Sequence, residues 1–271
     1  MRTIYLAILL VISCLGTSSF SRSPSIPIPD SVFIEELTWV EVSDAIVQGK
    51  TTVIIPTGGT EQNGPHMVIG KHNYLVKYKA GEIAKRLGNA LVAPVLAYVP
   101  EGEIDPPSSH MRFAGTISIP QDVFADILEY TARSFKRHGF LDIVLIGDSG
   151  GNQAGQRLVA AALNGEWSAT GVRVHHLSAY YPGRGDDWVI SQGVSAEDVG
   201  SHAGTHDTSA LMYLNPSMLR FDKMSQGSRG DGQGHIGNPA RSTALFGQTI
   251  LEMQINDAVD QIVELRAIDR R

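Results

Sequence analysis

Two short apolar runs constrain this chain more than any other feature. Thr51 to Ile55 and Leu141 to Ile146 are rich in β-branched residues, break off at glycine-rich turns, and are followed by stretches of helical periodicity. A run of this kind suits a strand buried on both faces, whereas a strand with one wet face alternates apolar and polar residues. The pattern repeats around them. A helix is predicted over Leu37 to Gln48, with Thr38 as N-cap and Gly49 as stop, and the first strand is ended by Pro56 and the turn Thr57-Gly58-Gly59. There follow a helix Tyr74 to Leu87, a strand Ala90 to Val99, a long Pro/Ser-containing loop through Ile119 and a helix Gln121 to His138. After the second apolar run come a helix Ala154 to Leu163, a strand Val172 to Ala179 and a last long helical pattern from Thr243 to Ile268. This alternation predicts an α/β fold, a mostly parallel central sheet covered by helices on both faces, with its site in the turns after the strand carboxyl ends.

The first residues read differently. One basic residue, an apolar run from Ile4 to Ile12 and then small polar residues have the order of a secretory signal, so residues 1–23 are taken as a targeting segment and 24–271 as one domain. The protein is expected to be exported, periplasmic or secreted. The run is too short to span a bilayer of roughly 30 Å, which needs about 20 apolar residues, so no transmembrane helix is expected. The single cysteine, Cys14, closes a Val-Ile-Ser-Cys tetrapeptide resembling a lipobox. Acylation there, giving a membrane-attached lipoprotein, and cleavage in the serine-rich stretch that follows are both open. A formal net charge of −6, with no Lys/Arg cluster, argues against a nucleic-acid partner.

Three segments concentrate side chains that can do chemistry. In GGTEQNGPHMVIGKHN, Glu61, His66 and His72 crowd the turn after the first strand. Carboxylate and imidazole together suit Zn, Mn or Fe, metals that activate water, although solvated or hydrogen-bonded histidines would give the same spacing. In SHAGTHDTSALMYL, Ser201 or Thr205 is a candidate helix cap, and His202, His206 and Asp207 gather at the helix start. Asp207 could equally serve the positive helix end. In IVLIGDSGGNQAG, a strand, a sharp turn and a helix carry G-x-S-x-G, the pattern of a nucleophile elbow built on Ser149. Asp186 or Asp187 followed by His202, His206 or His235 would supply the order of an acid and a late histidine, but no second motif supports them. Trp188, in the long segment Tyr180 to Gly200, is a candidate aromatic wall.

Taken in order, these blocks resemble the creatininase family. Glu61, Gly64 and His66 match its E-x-H-G-x-H block, with Asn63 where a ligand histidine is expected and His72 where a bridging aspartate is expected. Ser109-His110-Met111-Arg112-Phe113-Ala114-Gly115-Thr116 resembles E-H-x-x-F-P-G-T, and Gly147-Asp148-Ser149-Gly150-Gly151-Asn152 resembles N-G-H-G-G-N with Ser149 in place of a ligand histidine. His202-Ala203-Gly204-Thr205-His206-Asp207-Thr208-Ser209 resembles H-A-G-E-x-E-T-S, and the segment Gly234 to Thr243 resembles the closing G-x-x-G-D-P-x-x-A-T block.

The resemblance implies a three-layer αβα domain, commonly a hexamer, that hydrolyses C–N bonds in small cyclic or linear amides with a two-metal site. Mapped residue by residue, Glu61 is a metal ligand, His202 a substrate-orienting or proton-shuttling group, and Asp207 a conservative replacement for a glutamate. With Asn63, His72 and Ser149 altered, three readings are open. The site is rebuilt around one divalent ion, with Glu61, His72, Asp148 and His206 as the candidate ligands and His66, His202 and Asp207 in supporting or acid–base roles. Or it has lost metal and is a non-catalytic binding pocket. Or Ser149 has become a nucleophile for metal-free acyl transfer.

Overall fold

The computed structural model describes residues 30–181, 184–224 and 232–268, so the targeting segment and Cys14 lie outside the described residues. The two apolar runs form the centre of the sheet, β1 (Thr52–Thr57) and β3 (Asp142–Gly147), paired in parallel from Thr52 opposite Asp142 to Thr57 opposite Gly147. Every residue of both strands is buried, as their apolar centres require, and the polar ends Thr57 and Asp142 are satisfied by the Ile146 carbonyl and by His175. The edges are β2 (Ala90–Val92) beside β1 and β4 (Arg173–His176) beside β3, giving the all-parallel order β2-β1-β3-β4.

Alternate side chains of the central strands feed two separate cores. Val53, Ile55, Ile143 and Leu145 pack with Phe124, Leu128 and Ala132 of α3 (Gln121–His138) and with Val159 and Leu163 of α4 (Asn152–Glu166). α1 (Trp39–Val47) covers the same face through Val42 and Ile46. On the other face, Ile54, Val144 and Ile146 meet Val76, Ala80 and Ile83 of α2 (Lys71–Leu87) and Ile255, Ala258 and Ile262 of α8 (Ala244–Ala267). This is the three-layer αβα arrangement expected from the sequence. Three short helices, α5 (Gly185–Ser191), α6 (Ala196–Val199) and α7 (Thr205–Leu214), build the wall beside the strand carboxyl ends.

Several boundaries depart from expectation for physical reasons. Pro56 does not end β1. Its carbonyl accepts from Leu96 N on the side where β2 has already stopped, so the missing N–H falls where no strand would have used it. The second strand ends at Val92 rather than Val99, and the stretch beyond keeps only isolated bridges, Thr57 with Leu96 and Val99 with Ser118. β4 is likewise shorter than Val172 to Ala179. α2 begins at Lys71, three residues before the expected start, which moves His72 from the turn into the first turn of a helix. The segment Tyr180 to Gly200, expected as a loop, contains α5 and α6. Among the described residues no helix is long and apolar enough to cross a membrane.

Candidate metal centre

The turns after β1 and β3 meet at the strand carboxyl ends and form the floor of a cavity of about 1020 Å³. The turn after β3 comes so close to the loop at Pro100 that a Cβ on Gly151 would lie 2.1 Å from the Pro100 carbonyl oxygen, so the second glycine of that turn is a packing requirement. Glu61, Lys71, His72, Glu101, His110, Asp148, Ser149, His202 and Asp207 all line the cavity.

Glu61 is the hub. Its Oε1 lies 2.7 Å from His72 Nε2, 3.5 Å from His202 Nδ1 and 3.9 Å from Lys71 Nζ, and its Oε2 lies 3.2 Å from His110 Nε2. Burial alone would raise its pKa, but His72, Lys71 and His202 together hold it far below the usual carboxylate range. On the α2 side the charges form a closed ladder. His72 Nδ1 donates to Asp148 Oδ2 at 2.9 Å, so both nitrogens of this ring face carboxylates. Against its burial and the Lys71 charge, Glu61 and Asp148 push His72 up to about 9. Asp148 also pairs with Lys79 and accepts from Tyr180 Oη at 2.8 Å, and Lys79 donates to Gln254 Oε1 at 3.1 Å. Lys71 pairs with Asp207 at 2.7 Å, and the same carboxylate oxygen accepts from Ala203 N at 2.8 Å, holding Ala203 at φ 50.

The opposite flank is made by loops. His202 Nε2 lies 2.7 Å from the Gln62 carbonyl oxygen, and an antiparallel bridge to Ile236 fixes its backbone. His110 Nδ1 lies 3.0 Å from Gln62 Nε2, and the two rings stack with centroids 4.5 Å apart. Burial, then Lys71, drives His202 down to about 4, and burial also lowers His110, so both are neutral imidazoles at neutral pH. Glu101, which also lines the cavity, is pushed up to about 9 by burial and by the nearby Glu61 carboxylate, and therefore carries a proton.

A test of this donor set for metal gives an answer that differs between the flanks. Glu61, His110 and His202 offer ligand atoms all within 4.8 Å of one another, the one such group of three among the described residues. One carboxylate and two neutral imidazoles fit a single divalent ion. A second ion does not fit. His72, raised to about 9, holds a proton on both nitrogens, and Asp148 is saturated by three donors.

The residues singled out in the sequence therefore separate. Glu61, His72, Asp148, Ser149, His202 and Asp207 come together at the cavity, as read. Of the four expected ligands, only Glu61 belongs to the ion-competent group, because His72 and Asp148 are engaged with each other and His206 turns away to pair with Asp186. His66 is fully buried off the cavity, 3.1 Å from Thr208 Oγ1. Ser149 Oγ donates to Glu101 Oε2 at 3.3 Å, and that neutral carboxyl is no base. Trp188 packs edge-on against Phe246 at 5.7 Å and does not line the cavity. His110 was not singled out in the sequence as a candidate ligand. Its only signal was its place in the segment Ser109 to Thr116.

The comparisons with known proteins agree with this fold. The family model described as creatinine amidohydrolase matches residues 35–262. A mycofactocin precursor peptide peptidase from Mycolicibacterium smegmatis is 28% identical over 232 residues, covering 78% of this chain and 83% of that protein. A creatinine amidohydrolase from Pseudomonas putida is 26% identical over 203 residues, covering 72% and 76%. Among solved structures, one described as creatininase Mn superposes with a TM-score of 0.71 at 23% identity over 88% of this chain and 100% of that one. A mutant creatininase of Zn-Zn type gives a TM-score of 0.69 at 22% identity over 89% and 100%.

Proposed function

The chain belongs to the creatininase family, and on that premise we propose that it hydrolyses a C–N bond in a small cyclic or linear amide around one divalent ion held by Glu61, His110 and His202. An amidohydrolase-like function follows from the family and the relatives. The observation carrying the one-ion reading is the convergence of an ionised carboxylate and two neutral imidazoles on one point of the cavity wall. The descriptions of the similar structures name Mn and Zn, which supports either ion here.

Such an ion supplies Lewis-acid activation of the amide carbonyl and of water. The rest is done by side chains. Glu101 holds a proton at its carboxyl beside the cavity, where it can pass to the departing nitrogen as the C–N bond breaks. His72 keeps Glu61 ionised and fixes its orientation. Asp207 anchors Lys71, and Ser149 steadies Glu101. The same reading takes the amino-terminal run as an export signal, with Cys14 as the site of a lipid anchor where acylation occurs, and the assembled form as a homo-oligomer.

One observation favours a second reading, a non-catalytic binding pocket: the carboxylates of Glu61, Asp148 and Asp207 are matched by the chain's own Lys71, His72 and Lys79. Elemental analysis separates the two. The purified protein reloaded with Zn²⁺ or Mn²⁺ is expected to retain about one equivalent per chain, and His202→Ala to lose it, since a bound ion needs its full ligand set. A folded wild-type protein that retains no ion after reloading sinks the metal reading and leaves the binding pocket.

A further inference from the structure

On its loop side Glu61 is faced by two imidazoles, and the hydrogen bonds around Gln62 determine which nitrogen of each carries the proton. His202 Nε2 lies 2.7 Å from the Gln62 backbone oxygen, an atom that only accepts, so Nε2 is protonated and the lone pair of Nδ1 faces Glu61 Oε1. The Gln62 side chain is fixed at both ends. Its Oε1 accepts from Gly64 N at 3.0 Å and its Nε2 donates to Gly234 O at 2.7 Å. The second N–H of that amide lies 3.0 Å from His110 Nδ1, which must therefore accept. The contact with His202 Nε2 at 3.2 Å joins two donors and cannot take that hydrogen. His110 consequently carries its proton on Nε2, the nitrogen 3.2 Å from Glu61 Oε2.

We propose that Gln62 is a positioning residue that sets these two tautomers, presenting one bare and one protonated nitrogen to the same carboxylate. Resting on the one-ion reading, this has a consequence for metal affinity. His202 is ready to ligate, whereas His110 must first move its proton to Nδ1, which faces the Gln62 amide N–H. Turning that amide over would break its bonds to Gly64 and Gly234. Gln62 thus opposes the ion that its neighbours could hold, and a carboxylate at position 62 would favour it by accepting from His110 Nδ1–H, as partners of metal-bound histidines commonly do.

The test is nitrogen NMR of the imidazole rings in the chelator-treated full-length mature protein, together with calorimetric titration by Zn²⁺. In the wild type both His110 and His202 are expected in the Nε2–H form. Gln62→Met, which lacks the amide donor and leaves Glu61 Oε2 as the group holding the proton on Nε2, is expected to raise the Nδ1–H share of His110 in part while leaving His202 unchanged. Gln62→Glu is expected to complete that shift and to tighten Zn²⁺ binding about 10-fold or more. His110 found as Nδ1–H in the wild type, or unchanged in a folded Gln62→Met, overturns the proposal. The wild-type spectrum decides it even where a variant does not fold. Expected tautomers without zinc binding in any folded variant overturn the one-ion reading instead and leave the role of Gln62 standing.

Discussion

The two flanks of Glu61 are built from the same residue types and do opposite things. On the α2 side, Lys71, His72 and Lys79 are cations, each facing a carboxylate of Glu61, Asp148 or Asp207, and all lie in one helix. On the loop side, His110 and His202 are neutral, stacked, and held by a glutamine. A histidine between two carboxylates is a cation at neutral pH, while one between a carbonyl and a buried carboxylate keeps a lone pair. The difference teaches that the chain itself supplies three cations for its three ionised carboxylates, and that what the loop flank leaves for an ion or a substrate is neutral imidazole rather than unmatched charge.

The largest expected effect breaks the α2 flank. Asp148 is the shared partner of His72, Lys79 and Tyr180 in a buried position on the cavity floor. Asp148→Ala leaves a buried ammonium and a buried imidazolium without their counter-ion, and removing one member of a buried pair typically costs about 3–5 kcal/mol. Urea unfolding is expected to show a loss of that size. A loss below about 1 kcal/mol, the range of exposed ion pairs, would mean that the ladder is solvated and the contrast between the flanks is false.

The next prediction sharpens the contrast, because the flanks answer pH in opposite directions. His72 lies at about 9 when folded, above its ordinary 6.5, so the native state holds a proton that the unfolded chain releases. Its contribution is complete below about pH 6.5 and is lost as pH rises toward 9. Glu101, raised from 4.5 to about 9, adds to the same alkaline decline. His202 lies at about 4, so below 6.5 the unfolded chain takes up a proton that the native state refuses, and stability is lost as pH falls toward 4. His66, also at about 4 through burial and then the nearby His235, adds to that acid limb. Each group contributes up to about 1.4 kcal/mol per pH unit inside its window. Stability measured across pH 4 to 9 is expected to lose slope on the alkaline limb in His72→Gln and on the acid limb in His202→Asn. Loss of slope on the same limb in both variants would merge the flanks into one titrating unit.

How much of this was legible follows from what each residue depends on. α3 could be read to its ends because its apolar period and the left-handed Gly139 at its C-cap are local, and Thr38 announces α1 through a capping box with Glu41. The end of β2 was not legible. It depends on where the chain leaves the sheet, and the residues after Val92 remain extended enough to look like strand. Glu61 and His202 stood out because they end elements in a recognisable order of blocks. The ladder did not, since starting α2 at Tyr74 instead of Lys71 hid that Lys71, His72 and Lys79 share one buried helix surface. Three lysines and a histidine within nine residues, Lys71 to Lys79, were the available signal.

The smallest expected effect concerns Ser149, which lies between the flanks and belongs to neither. Its hydroxyl donates to Glu101 at 3.3 Å and accepts from Gly151 N at 3.4 Å, and among the described residues no histidine nitrogen is hydrogen-bonded to it. Ser149→Ala removes these two long hydrogen bonds and should cost about 1 kcal/mol in stability. Ion stoichiometry should not change, because neither Glu61, His110 nor His202 touches this hydroxyl. Hydrolysis should fall by no more than a few-fold, through looser placement of Glu101. A nucleophile behaves otherwise, since removing one from a working catalytic set lowers turnover by about 10⁴-fold or more. A loss of that size in a folded, fully loaded Ser149→Ala protein would move the chemistry from the loop flank to the turn after β3, and the charge difference between the flanks would then describe only how the scaffold is held together.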